Sequence, residues 1–182
     1  MATVLVLGGG FGGAVAATRL NETLGDKVQV TLVEKMPTYQ ICATNAWVMT
    51  GAAKREEVTV RREGLRKRGV EIVEAEVTAI DAKQRTAKTT KGDLTADYLV
   101  VALGADLNMA AIPGLAENAE SFFTIDAAEK LYARLQAFDN GEIVVLVPRT
   151  PFKCPPSPYE AAMLIDDDFA HKGVHEQVRV SV

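Results

Sequence analysis

The sequence predicts an α/β chain: a three-layer domain on a parallel sheet, an antiparallel β-meander within it, and the start of a second βαβ unit. Three observations carry that reading. Short apolar, β-prone runs alternate with helical stretches, the order of parallel βαβ units. From Glu76 the texture changes to brief runs separated by polar turns, the mark of a meander. After Gly141 the strand-then-helix order resumes and reaches one more strand at the end of the chain.

Each element has a local reason. Thr3–Leu7 is an apolar strand, and Phe11–Leu24 is an alanine-rich helix with Ala16, Ala17 and Leu20 on one face. Val28–Val33 is a second buried strand, ending at Glu34. The pattern over Arg55–Arg68 predicts an amphipathic helix with a mixed-charge outer face, and Val70–Ala75 a third strand. Val77–Ile80, Arg85–Thr90 and Leu94–Ala96 form the meander. Asp97–Leu103 returns to a fully buried strand that stops at Gly104, and Ile112-Pro113-Gly114 is a loop. Asp126-Ala127-Ala128-Glu129 resembles a capping box opening a helix through Phe138, closed by Asn140-Gly141. Strand Glu142–Val147, a proline loop, a helix from about Tyr159 to His171 and strand Val178–Val182 complete the chain. The expected division is a first domain over 1–112, and a linker, helix and incomplete second domain over 113–182.

Composition narrows the function classes. A net charge of −4 gives no support to nucleic-acid binding or to a basic membrane footprint. No apolar run approaches the roughly 18 residues that span a bilayer, and no secretory signal is legible. Composition leaves the location open. Two cysteines, Cys42 and Cys154, are too few for a disulfide scaffold. His171 and His175 share a spacing of four, but Gly173 lies between them and no Cys-x-x-Cys accompanies them, so structural or surface roles are expected and no metal.

Two turns carry the chemistry. Gly8-x-Gly10-x-x-Gly13 lies between a strand and a helix, with Glu34 directly after the second strand. Gly8 permits the tight turn, Gly10 lets a pyrophosphate approach the backbone, and Gly13 lets helix and strand pack closely. Phe11 and Gly12 open the helix, whose N-terminus stabilises the anion. Glu34, followed by Lys35, would accept hydrogen bonds from a ribose diol and repel a 2′-phosphate. This is a Rossmann-like dinucleotide site. The second turn, after Glu142–Val147, has no glycine; it reads Phe152-Lys153-Cys154-Pro155-Pro156-Ser157-Pro158-Tyr159-Glu160. A proline-fixed backbone cannot offer successive N–H groups to a second pyrophosphate. Lys153 and the helix start downstream favour a thiolate at Cys154, the prolines stiffen its approach, and Glu160 is a candidate base.

Those stretches, with Val30–Glu34, Tyr39–Asn45 and Asp97–Gly104, resemble the sulfide-oxidising flavoproteins, the group of sulfide:quinone oxidoreductase and the flavin subunit of flavocytochrome c sulfide dehydrogenase. The resemblance runs along essentially the whole chain, and its most specific part is Lys153-Cys154-Pro155-Pro156. It implies FAD as the dinucleotide, with Gly104 close to it and the backbone near Val77 facing the adenine. It implies that Cys154 is one of two redox cysteines, taking sulfide or another small sulfur substrate as a persulfide and passing two electrons to FAD. Quinone or a cytochrome c would be the final acceptor. Cys42, eight residues beyond Glu34 with Tyr39 before it, either carries FAD through a thioether, as in the flavocytochrome branch, or is a small residue lining the flavin pocket. Tyr39 and Trp47 are expected in the pocket or core. The second redox cysteine would lie past Val182, so the chain is expected to be the N-terminal portion of a longer protein. Two alternatives stay open: an NAD(P)H-dependent flavin disulfide or quinone reductase, and a catalytically silent FAD-binding module.

Overall fold

The computed structural model describes every residue from Met1 to Val182. β1 (Ala2–Leu7) buries Val4, Leu5, Val6 and Leu7 in succession, as a strand covered on both faces requires. α1 (Phe11–Leu24) has the expected bounds and is followed by β2 (Val28–Glu34), β3 (Thr38–Gln40), a 3-10 turn over Cys42–Thr44 and α2 (Asn45–Thr50). The single helix expected over Arg55–Arg68 does not form. It is divided into α3 (Arg55–Val58), β4 (Thr59–Arg61) and α4 (Glu63–Arg66). Val58, Thr59 and Val60 are β-branched and poor in helices, and β4 finds a hydrogen-bonded partner in β3.

β5 (Glu71–Glu74) precedes the meander of β6 (Val77–Asp81), β7 (Thr86–Thr89) and β8 (Gly92–Thr95), which pair antiparallel in that order. β9 (Tyr98–Val101) is shorter than expected and, as an edge strand, is not fully buried, with Tyr98 and Val101 exposed; α5 (Leu115–Asn118) follows. α6 (Ile125–Gln136) is capped by Thr124, whose hydroxyl accepts from the Ala127 amide at 3.2 Å, rather than by Asp126. β10 (Gly141–Val144), α7 (Ser157–Lys172) and β11 (Val178–Ser181) form the βαβ unit, with the two strands parallel.

The chain divides into two compact units. The first comprises Met1–Tyr39 and Thr59–Leu107. Its parallel sheet has the order β5-β2-β1-β9. Alternate residues of a strand face opposite sides, and the core obeys that period. Val4, Val6, Val30 and Leu32 pack with Ala17 of α1. Leu5, Leu7 and Val33 pack on the other face with Ala75 and Ala87, the latter in the meander. Helix, sheet and meander are the three layers. Thr3 and Asp97 tie the starts of β1 and β9 together: the Thr3 amide and hydroxyl donate to Asp97 Oδ2 at 2.8 and 2.9 Å, and the Asp97 amide donates back at 3.0 Å. These bonds hold the Asp97 carboxyl below its ordinary range.

The second unit comprises Gln40–Val58 and Asn108–Val182. A boundary near residue 112 would give Gln40–Val58 to the first domain; α2 instead packs with α6 and α7. Ala46, Val48 and Met49 of α2 share a core with Ala128, Leu135, Ala161, Ile165, Phe169 and Val178. Trp47, expected in a pocket or core, is half exposed on the opposite face of that short helix. His171 and His175 engage the Asp167 carbonyl and the Asp166 carboxylate. No helix is long and apolar enough to cross a membrane.

Electrostatics brace this unit. Glu120, 19% exposed, takes Lys130 at 3.0 Å and also Arg134, and these bonds hold its carboxyl below the ordinary range. A depressed folded-state value stabilises the fold above the unfolded-state value, and that contribution is lost as pH falls through the folded one. Thermal midpoints measured from neutral to acidic pH should therefore fall less steeply in Glu120→Gln than in the wild type, because the variant starts without this contribution. Identical slopes would show that the pairing adds nothing.

Candidate functional site

β1 runs into Gly8, at φ +93°, where a Cβ would meet the Ala102 carbonyl oxygen at 2.4 Å. Only glycine adopts that turn without strain. Gly13, in the first turn of α1, lies against it: its Cβ would stand 1.8 Å from the Gly8 carbonyl oxygen. Gly10, the N-cap of α1, would meet nothing within 4 Å, so its backbone faces open space. α1 has no side-chain cap and no acidic residue in its first turn. Its first amides and the positive end of its dipole are left for an anion.

Glu34 stands beside this turn. Its Oε2 accepts from the Gly9 amide at 2.7 Å and its Oε1 from the Met36 amide at 3.0 Å, and the side chain is only 15% exposed. Each oxygen keeps a lone pair, as binding a ribose diol requires. Arg62 completes the arrangement. Its Nε donates to the Met36 carbonyl at 2.9 Å and its Nη1 to the Gly9 carbonyl, while Nη2 lies 3.8 Å from Glu34 Oε2. Its guanidinium lies 5.3 Å from the centre of the Tyr39 ring, which meets Phe11 edge-on at 5.5 Å. Burial, to 8% exposure, lowers the Arg62 pKa, opposed by Glu34 and Tyr39. Sequence reasoning missed Arg62, because a continuous helix would send its charges outward and nothing in the sequence separates it from Arg61.

The other residues expected at the dinucleotide are spread along the unit. Phe11 is 61% exposed, and a Cβ on Gly12 would touch only Ala102 Cβ, at 3.9 Å. Lys35 pairs with Glu76 at 3.5 Å. Val77 opens β6, half-buried, and Gly104 has φ +78° with open space around it. The turn, the uncapped helix and Glu34 fit a dinucleotide. A wider groove of about 580 Å³, lined by residues of α1 and by Leu65 and Arg68, holds none of the expected residues.

In the second unit the residues expected to carry thiol chemistry lie around one cavity. Cys154, Lys153 and Glu160 line a cavity of about 70 Å³ together with Cys42, Ser157, Phe122 and Phe123. Both cysteines are free and exposed. Cys154 has φ +60°, a left-handed conformation that is strained for a residue with a side chain. Its carbonyl accepts from the Ser157 amide at 3.0 Å, which fixes the loop against the start of α7. Glu160 lies in the first turn of α7, and Lys153 Nζ is 6.0 Å from the centre of the Phe123 ring. Ser157, Phe122 and Phe123 carried no signal in the sequence, since each reads as an ordinary loop or cap residue.

Residues 2–147 match the family model of the pyridine nucleotide-disulphide oxidoreductases. The chain belongs to that family. Residues 128–180, which include the thiol loop, match the central region of the sulfide dehydrogenase [flavocytochrome c] flavoprotein chain. FAD is the dinucleotide of these proteins. Mouse mitochondrial sulfide:quinone oxidoreductase is 29% identical over 185 residues, covering 97% of this chain and 40% of that protein. An NADH dehydrogenase-like protein of Mycobacterium tuberculosis is 36% identical over 150 residues, covering 79% of this chain and 36% of its own length. The solved sulfide:quinone oxidoreductase of Aquifex aeolicus superposes with a TM-score of 0.88 at 26% identity, over 98% of this chain and 42% of that one. The chain thus spans about two fifths of the length of such relatives, and the likeness to sulfide-oxidising flavoproteins holds along its length.

Proposed function

We propose that the chain is part of an FAD-dependent oxidoreductase of the sulfide-oxidising type, with the unit of Met1–Tyr39 and Thr59–Leu107 forming the first part of the FAD-binding domain. Gly8, Gly10, Gly13, the amides that open α1, and Glu34 would hold the pyrophosphate and ribose. FAD, when bound, supplies a two-electron acceptor. Cys154 would take the sulfur of sulfide or a related small sulfur species as a persulfide, its S–S bond forming as two electrons leave to that acceptor and a proton is lost; Lys153 sets positive charge beside the thiolate, and Glu160 takes or returns the proton. Phe122 and Phe123 limit water at the cavity. Quinone or a cytochrome would be the acceptor of the whole protein.

The observation that carries this reading is the match of residues 128–180 to a sulfide dehydrogenase flavoprotein, because that segment contains Lys153, Cys154 and Glu160, which line one cavity. The likeness to an NADH dehydrogenase-like protein, which covers less of the chain, supports NADH as the rival reductant. Anaerobic addition of each reductant to the FAD-loaded chain separates the two. Sulfide is expected to bleach the flavin absorption and NADH to leave it unchanged. Prompt bleaching by NADH alone would reverse the assignment.

A further inference from the structure

We infer that Arg62 is a positioning residue for the dinucleotide, holding in place the two residues whose amides aim the Glu34 carboxylate at a ribose diol. Each oxygen of Glu34 is oriented by one main-chain amide: Oε2 accepts from Gly9 at 2.7 Å and Oε1 from Met36 at 3.0 Å. Those same two residues give their carbonyls to Arg62. Its Nη1 donates to the Gly9 carbonyl and its Nε to the Met36 carbonyl at 2.9 Å. One guanidinium therefore ties the turn after β1 to the segment after β2. Arg62 is itself fixed: its amide donates to the Pro37 carbonyl at 3.2 Å, and its guanidinium lies 5.3 Å from the Tyr39 ring centre. Nη2 stands 3.8 Å from Glu34 Oε2, too far for a direct hydrogen bond, so Arg62 orients Glu34 through Gly9 and Met36 and through charge.

Gly9 gives the same contact from the other side. It occupies the free position of Gly8-x-Gly10, and its φ is not in the left-handed region, so the backbone alone does not demand glycine there. A Cβ at Gly9 would stand 2.7 Å from Arg62 Nη1 and 3.2 Å from Glu34 Cβ. The guanidinium and the carboxylate together leave no room for a side chain. A planar guanidinium offers its donors in a fixed fork, so it can hold two carbonyls at once where an ammonium is a single point charge. Fixing both amides beforehand leaves the remaining lone pairs of Glu34 in one orientation, and less ordering remains for the moment of binding. The inference rests on Glu34 as the ribose acceptor of the proposed function, and is independent of the thiol cavity.

The full chain, purified without flavin, is titrated by calorimetry with ADP and with 2′-deoxy-ADP. Both carry the pyrophosphate and the adenine, and only ADP offers the 2′-hydroxyl. The wild type is expected to prefer ADP by about tenfold, the worth of one hydrogen bond to a carboxylate. Arg62→Met is expected to lose that preference. Gly9→Ala, which keeps the arginine but crowds its Nη1, should lose it as well, and so should Arg62→Lys, which keeps the charge without the fork. The folded fraction scales both apparent affinities alike and cancels from their ratio, so a destabilised variant still gives a reading. Should Arg62→Met fail to fold, the other two variants decide by the same ratio. Retention of the wild-type ratio in any of the three, even with both ligands bound more weakly, would overturn the inference, because Arg62 would then brace only the fold. A wild type that binds the two ligands alike would remove Glu34 as the ribose acceptor, and the inference with it.

Discussion

Gly13→Ala is expected to destabilise the first unit by about 2–3 kcal/mol and to abolish FAD binding, while Gly12→Ala is neutral or mildly stabilising. Alanine inside a helix ordinarily gains about 0.5–1 kcal/mol over glycine, so the sign of the change is informative. At Gly13 the new Cβ would stand 1.8 Å from the Gly8 carbonyl oxygen and 3.0 Å from its carbon. Both are backbone atoms of the turn that Gly8 closes at φ +93°, and neither can swing aside. Relief would require α1 to move off β1, and overpacking of this kind costs about 1–3 kcal/mol, occasionally more. It would also displace the helix amides that meet the pyrophosphate. At Gly12 the added carbon makes an ordinary contact with Ala102. Urea denaturation of both variants, with FAD titration followed by flavin fluorescence, checks the pair. Equal stabilities would mean that the glycine turn is not as tightly packed as described.

Phe169→Ala is expected to destabilise the second unit by about 3–5 kcal/mol, the range for emptying a buried phenylalanine site. Phe169 is fully buried, packs with Leu135, Ile165 and Val178, and meets Phe138 with ring centres 6.0 Å apart. Lys172 lies 4.8 Å from its ring centre while pairing with Asp168 at 2.6 Å and donating to the Leu135 carbonyl at 3.2 Å. Removing the ring opens a cavity and releases that lysine stem together. Domains have stabilities on the order of 5–15 kcal/mol, so the loss is a large fraction of the total. Because α7 also carries Ser157 and Glu160, the thiol cavity should loosen with it. Near-ultraviolet circular dichroism and urea midpoints measure the first effect, and faster alkylation of Cys154 the second. An unchanged midpoint would contradict the packing.

The sequence made α1, β1, β2 and the meander legible because each combines a clear period with glycine or polar turns at its ends. Arg55–Arg68 misled because a helical spacing of charges coexists there with three β-branched residues, and only the pairing of β4 with β3 decides between them. α2 has six residues, too few for a period to show. At the site, the glycine turn and Glu34 could be read because their spacing is local. That Cys42 and Cys154 line one cavity could not, since it depends on α2 and α7 sharing one core. Arg62 was hidden by the same misreading that merged α3, β4 and α4.

The central claim is that the Cys154 thiol takes sulfide sulfur and that its electrons reach FAD. Anaerobic mixing of the FAD-loaded chain with sulfide, beside Cys154→Ser loaded to the same extent, tests it most directly through the visible flavin absorption. The account predicts that the wild type bleaches and the serine variant stays yellow; equal bleaching of the two would contradict it.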